Sequence, residues 1–299
     1  MLEIKTVSKR FGDKLAVDAL DMTVENGSIM GLIGQNGAGK TTTFRMILDF
    51  IKADQGHISW NGAKITQDVK QKIGFLPEER GLYQKLTVEE QVLYFAELHG
   101  MKRGNARLAL NQWMKRLEVV GNITDKVQTL SKGNAQKIQF ISTLVHQPEL
   151  LILDEPFTGL DPVNTEMLMT EIRQFRTNGA AIIFSSHNMS GVEALSDNLT
   201  MLKNGKTILQ GSVDGIRESF GRTQIYLETS VSDDILQAFD GVISLVPQGK
   251  GRLLHLSDES FGRDIFQKLY EMDGGYMPAF VQAPPTLDEI FRKEVASHD

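Results

Sequence analysis

The sequence predicts an α/β chain of two domains: a larger one with a mostly parallel core sheet and an antiparallel β edge, and a smaller α+β one. Three observations lead there. Gly34-Gln35-Asn36-Gly37-Ala38-Gly39-Lys40-Thr41 fills the phosphate-loop pattern Gly-x-x-x-x-Gly-Lys-Thr directly after the apolar run at residues 28–33. Residues 150–153 and 180–184 are further continuous apolar runs, the composition of parallel strands covered by helices on both faces. Beyond about residue 220 the order changes to β-α-β-β-α-β, the ferredoxin-like order.

Taken from the N-terminus, residues 2–7 and 15–24 have β character around Lys9-Arg10-Phe11-Gly12-Asp13 and make the antiparallel edge; Glu25-Asn26-Gly27 turns the chain into the phosphate-loop strand. A helix starts at Lys40 and runs to about Phe50. Residues 72–76 form a short strand stopped by Pro77. Thr87 with Glu90 three residues on is a capping box, opening a helix to about Leu98. Helical patterning resumes over 106–120. Asp161 as N-cap and Pro162 at the first helical position start a helix to Arg176. A helix is expected near 190–196, and Asn204-Gly205 between two apolar runs signals a hairpin. The second domain reads as strand 224–228, helix 233–239, strands 242–246 and 252–256, helix 261–271 and strand 276–281, then a last helix over 287–294 after Pro284-Pro285. The expected domains are 1–220, with a helical subdomain at about 80–146, and 221–299.

Composition narrows the classes of function. With 299 residues and 41% hydrophobic content the chain can bury two cores. A formal net charge of −6 supplies no field to attract nucleic acid, which is set aside as a partner. No cysteine occurs, as suits a reducing compartment. The N-terminus lacks the apolar core of a signal peptide, and no apolar run approaches the roughly 18 residues that span a bilayer. The expectation is a soluble, cytoplasmic chain whose membrane role, if any, comes through a partner.

The three apolar strands each deliver polar residues at their carboxyl ends: the phosphate loop, Asp154-Glu155, and Ser185-Ser186-His187. Ligands of open α/β sheets bind outside those ends, so the three groups should converge on one nucleotide. Backbone N–H groups of the loop and the N-terminus of the following helix suit phosphate oxygens, Lys40 adds a full positive charge, and the Thr41 hydroxyl can sit on Mg²⁺. Asp154 can hold Mg²⁺ directly or through water. Glu155 can orient or deprotonate the attacking water, and His187 can reach the γ-phosphate.

At this point the residues resemble a family, the ATP-binding subunits of ABC transporters, over residues 1 to about 215. Leu130-Ser131-Lys132-Gly133-Asn134-Ala135-Gln136-Lys137 is similar to the family signature Leu-Ser-Gly-Gly-Gln; Gly159-Leu160-Asp161 matches the D-loop and His187 the switch histidine. The resemblance implies a P-loop NTPase fold of the ABC cassette type and ATP with Mg²⁺ as cofactors. Nucleotide contacts would come from Phe11, stacking on adenine, from Gly34 through Thr41 with the adjoining Thr42, and, across a dimer, from Ser131, Gly133, Asn134 and Asp161. Metal contacts would come from Thr41, Asp154 and Glu78. Two departures stand out. Lys132 and Asn134 replace a glycine and the glutamine of the signature, and Glu78 replaces the Q-loop glutamine; an ionised carboxylate can bind metal but cannot donate a hydrogen bond.

A single subunit of this family holds half of each site, so a C2 homodimer is expected, with a related partner as the alternative. The helical subdomain is expected to receive a transmembrane permease at the inner face of the membrane. Pro285-Thr286-Leu287-Asp288-Glu289-Ile290-Phe291 is similar to a C-terminal motif of ATP-binding subunits serving type 2 ABC exporters. The terminal domain is assigned dimer bracing or control of closure, against a structural appendage. Competing readings are a soluble non-transport ABC ATPase and a nucleotide-binding regulator with little turnover.

Overall fold

The computed structural model describes residues 1–79 and 81–296; Arg80 and residues 297–299, at the edges of the expected helical subdomain and second domain, lie outside the described residues. The chain separates into two compact units between Gln210 and Gly211, ahead of the boundary expected near Phe220.

In the first unit, β1 (Leu2–Phe11), β2 (Lys14–Val24), β4 (Gln55–Trp60) and β5 (Ala63–Lys64) form an antiparallel sheet in the order β2-β1-β4-β5. The second sheet has the order β10-β9-β3-β8-β7-β6, from β3 (Ile29–Gly34), β6 (Ile73–Leu76), β7 (Leu150–Leu153), β8 (Ala181–Ser185), β9 (Asn198–Lys203) and β10 (Lys206–Ser212). Its β9, β3, β8, β7 and β6 run parallel. All six residues of β3 and all of β7 and β8 are buried, as their unbroken apolar composition requires. Both central residues of the Asn204-Gly205 turn have positive φ, 51° and 82°, the geometry of a tight hairpin between β9 and β10.

The core lies between the two sheets. The inward residues of β1 and β2 (Ile4, Val7, Val17, Leu20, Met22) meet Met30 and Leu32 of β3 and the buried face of α1 (Lys40–Ile47), Phe44 and Ile47. Helix α1 is shorter than expected because Asp49, just beyond its C-cap, turns to φ 58°. The short α2 (Gln67–Lys70) is capped by Thr66 and leads into β6. Helices α3 (Val88–Leu98), α4 (Arg103–Arg116) and α5 (Lys132–Leu144) form the helical part. The Thr87 capping box closes in both directions: Thr87 N donates to Glu90 Oε2 at 2.8 Å and Glu90 N to Thr87 Oγ1 at 3.1 Å. Helix α4 lies a few residues ahead of the expected 106–120 and is followed by Glu118 at φ 47°. Asp161 caps α6 (Pro162–Thr177) through Asn164 N at 2.9 Å, and α7 (Met189–Leu195) comes after β8. Among the described residues no helix is long and apolar enough to cross a membrane.

The second unit starts with α8 (Val213–Ser219), which belongs here because Arg217 Nε donates to Pro285 O at 3.1 Å beside α11 (Leu287–Ala296). Its sheet has β11 (Gln224–Glu228), β12 (Val242–Gln248), β13 (Gly251–Leu256) and β14 (Ala279–Ala283) in the order β12-β13-β11-β14, antiparallel throughout. This is the ferredoxin-like sheet, with α9 (Asp233–Gln237) and α10 (Phe261–Met272) as its crossovers. The last strand falls at 279–283 rather than 276–281. The 285–291 motif has a structural role within the unit. Thr286 and Glu289 make a second reciprocal capping box, Gln224 Nε2 donates to Glu289 Oε1 at 2.6 Å, and Leu287 and Ile290 are buried.

Candidate functional site

The site forms where β3, β7 and β8 end. Two glycines permit the loop after β3. Gly34 sits at φ 153°, where a Cβ would fall 2.4 Å from Leu202 O; Gly39, at φ 112°, would put one 2.6 Å from Ala16 O. The loop is therefore clamped between β9 and β2. Lys40 is largely buried, and its Nζ donates to Gly34 O at 2.7 Å and Gln35 O at 3.2 Å. Burial lowers its pKa, opposed by the charges of Glu155, Asp154 and Glu78. The ammonium thus sits among three carboxylates at the mouth of the loop.

Asp154 and Glu155 come directly after β7, and both are buried. Thr41 Oγ1 donates to Asp154 Oδ2 at 3.2 Å, while Ser185 Oγ donates to Asp154 Oδ1 at 2.6 Å. The same Ser185 oxygen accepts from Glu155 N at 3.0 Å, so one hydroxyl at the end of β8 orients both acidic residues. Glu155 has φ 51°, a left-handed backbone that costs a non-glycine residue on the order of 1 kcal/mol. That turn sends its side chain away from Asp154 and toward His187. Oε2 accepts from His187 N at 3.3 Å; Oε1 lies 3.2 Å from His187 Nε2 without hydrogen-bond alignment, and remains a buried acceptor with no donor. Burial raises the Glu155 pKa, opposed mainly by His187.

A cavity of about 450 Å³ is lined by Phe11, Asn36, Gly37, Gly39, Lys40, Thr41, Thr42, Glu78, Asp154, Glu155 and His187, all residues singled out from sequence. Gly34, Gln35 and Ala38 shape the loop behind it: Gly34 and Ala38 are buried, and Gln35 O accepts from Ala38 N. Phe11 is half exposed on the rim, under Lys9 Nζ at 5.5 Å from its centroid. Lys14 and Ala16 of β2 also line the cavity, and sequence reasoning missed them together with the role of Ser185.

Ser131, Gly133, Asn134 and Asp161 do not line this cavity. Ser131 is exposed at the N-cap of α5 and accepts from Asn134 N at 3.3 Å. The Asn134 amide is engaged at home, its Oδ1 accepting from Val120 N at 3.1 Å. Asp161 is held by Asn164.

The donor set suits a hard divalent cation bound together with a polyphosphate. Thr41, Asp154 and Glu78 offer oxygen only, and among the described residues no group of three or more His, Cys, Asp or Glu side chains is placed to hold a metal alone. Mg²⁺ needs six oxygens, so phosphate and water would complete the shell.

Comparison with known proteins identifies the family. Residues 17–158 match the ABC transporter family, and residues 211–295 match the ATP-binding protein DrrA1-3-like C-terminal domain. The chain is 43% identical over 297 residues to the uncharacterized ABC transporter ATP-binding protein YhaQ of Bacillus subtilis, covering 99% of both. It is 34% identical over 221 residues to the Nod factor export ATP-binding protein I of Burkholderia lata, covering 73% of each. A solved ATP-binding subunit of an ABC transporter superposes with a TM-score of 0.70 at 29% identity, over 74% of this chain and 93% of that one. With motifs, fold and near full-length similarity in agreement, the chain belongs to the family of ABC transporter ATP-binding proteins.

Proposed function

We propose that this chain binds and hydrolyses ATP with Mg²⁺ and powers a separately encoded transmembrane permease of a type 2 ABC exporter. It would act from the cytoplasmic face as a homodimer closed by two ATP molecules. One observation carries the hydrolytic reading: a continuous chain of contacts from Thr41 through Asp154 and Ser185 to Glu155 and His187. It joins the phosphate loop to a buried carboxylate whose Oε1 lacks a donor.

Each part of the site has a task. Loop N–H groups, Lys40 and the N-terminus of α1 hold the phosphates; Phe11 stacks on the base; Thr41, Asp154 and Glu78 face the cation. Bound Mg²⁺ would neutralise charge on the β- and γ-oxygens. Glu155, its pKa raised by burial, accepts a proton from the attacking water or orients it, and His187 is placed to contact the γ-phosphate. Ser131, Gly133, Asn134 and Asp161, absent from the lining of their own chain's cavity, serve the site of the partner subunit. The exporter assignment rests on the match to the DrrA1-3-like C-terminal domain and on the similarity to a Nod factor export protein.

Steady-state phosphate release by the purified chain, alone and co-purified with its permease, tests the reading. Turnover that needs Mg²⁺ and is lost in Lys40→Ala supports it. Nucleotide binding without turnover in either preparation contradicts it and leaves a regulator.

A further inference from the structure

Glu78 reaches the nucleotide cavity from the segment after β6, and Pro77 removes one backbone donor that could fasten that segment. Two buried carboxamides hold it instead. Gln139 of α5, 4% exposed, donates through Nε2 to Pro77 O at 3.2 Å and to Glu79 O at 3.3 Å, the carbonyls on either side of Glu78. Gln91 of α3, fully buried, accepts from Tyr83 N at 2.9 Å. Among the described residues Gln139 Oε1 and Gln91 Nε2 have no partner, and both side chains line an apolar cavity of about 370 Å³ with Pro77, Gly81 and Phe95. Burying two primary amides beside apolar side chains, each with one group unsatisfied, costs stability that a leucine at either position would not. Support of the core does not account for the amide at 139, whereas a need for two N–H donors in one side chain does.

We propose that Gln139 is a positioning residue that sets the Glu78 carboxylate against the divalent cation of the bound nucleotide. A side chain bridging the carbonyls of residues 77 and 79 fixes the backbone at 78 from both sides, and only a group with two hydrogens on one atom can do so here. Glu cannot donate when ionised, and Met and Leu have no donor at all. The inference rests on the proposed placement of Glu78 at the cation.

The test is Mn²⁺ binding by the full chain with a non-hydrolysable ATP analogue, read from the free-Mn²⁺ electron paramagnetic resonance signal. The variants are Gln139→Met, Glu78→Ala and the double variant. Gln139→Met should raise the Mn²⁺ half-saturation about five- to tenfold, the effect of losing one to two neutral hydrogen bonds. Analogue affinity in EDTA should stay within about twofold, and the double variant should bind Mn²⁺ no more weakly than Glu78→Ala alone. If Gln139→Met does not fold, Gln139→Leu, which likewise has no donor and no charge, is read the same way. Weakened binding in Glu78→Ala with none in Gln139→Met, or with fully additive losses, overturns the positioning role and leaves Glu78 at the metal. An unchanged Glu78→Ala removes Glu78 from the metal, and the proposal with it.

Discussion

His146 lies just beyond α5, and its ring stacks on that of His99 with centroids 3.7 Å apart and planes 10° from parallel. His146 Nε2 lies 3.3 Å from Ile73 O and His99 Nδ1 lies 3.1 Å from Gln71 O. A carbonyl only accepts, so those nitrogens carry the protons, and His146 Nδ1 is a buried lone pair without a donor. Among the described residues lining the adjoining cavity the only other charged group is Lys70, itself 3.3 Å from Asp49. Burial, and secondarily the charge of His99, push the His146 pKa from its ordinary 6.5 down to about 3; burial lowers that of His99 as well. A pKa below the unfolded value means that the folded chain resists the proton that the unfolded chain accepts. The contribution to stability is full above pH 6.5 and drains away as pH falls toward 3. At pH 5 the unfolded imidazole binds its proton with a weight of about 30, so His146 alone should cost about 2 kcal/mol relative to pH 7. Denaturant unfolding of the wild type and His146→Phe at both pH values measures this: the variant keeps an aromatic ring on His99 but has nothing to titrate. Its loss of stability between pH 7 and pH 5 should be smaller by about 2 kcal/mol. Equal losses, or a His146 imidazole NMR signal that titrates near pH 6.5, would refute the reasoning.

Two further substitutions probe the site itself. Ser185→Ala removes the hydroxyl that links Asp154 Oδ1 to Glu155 N and leaves a buried N–H and a buried carboxylate oxygen short of a partner. A stability loss of about 2–4 kcal/mol and a turnover reduced about tenfold or more are expected, from unfolding curves and phosphate release. Gly39→Ala places a Cβ 2.6 Å from Ala16 O at a φ of 112°, so the loop must shift. Nucleotide binding measured by calorimetry should be lost, with the fold destabilised by about 1–3 kcal/mol.

The parts of the site legible in the sequence were those a local rule exposes. Lys40, Asp154 and His187 each stand within six residues of the end of a continuous apolar strand, and a parallel sheet brings such ends together whatever their separation along the chain. Ser185 could be seen at a strand end, yet a hydroxyl carries no mark of its partners; its bridging role appears only when β7 and β8 pair in register. Lys14 and Ala16 arrive from the antiparallel sheet, where no motif points at the phosphate loop. The unread strands β4 and β5 fail for a similar reason. Gln55–Trp60 has four polar or glycine positions and only Ile58 and Trp60 as apolar ones, and Gly56 at φ 78° packs against the backbone of Lys5 and Thr6. Pairing with β1 makes it a strand despite its weak pattern. The terminal unit was readable as an element order because its helices and strands are short and cleanly punctuated by glycine and proline. Its first helix was not, since the attachment of α8 depends on Arg217 reaching Pro285 far along the chain. Gln91 and Gln139 carry no mark in the sequence, and only their burial singles them out.

In the proposed function the phosphate-loop cavity of one chain is half of a site, completed by the Ser131 segment of a second copy and emptied through Glu155. Glu155→Gln keeps the shape of the side chain and removes its capacity to take a proton. Its mass in solution, measured by light scattering with ATP and with ADP, tests the shared site. A stable dimer holding two ATP molecules is expected with ATP and a monomer with ADP, and the dimer should be lost when Ser131 is also changed to Arg. A Glu155→Gln chain that binds ATP yet stays monomeric at saturating nucleotide would contradict it.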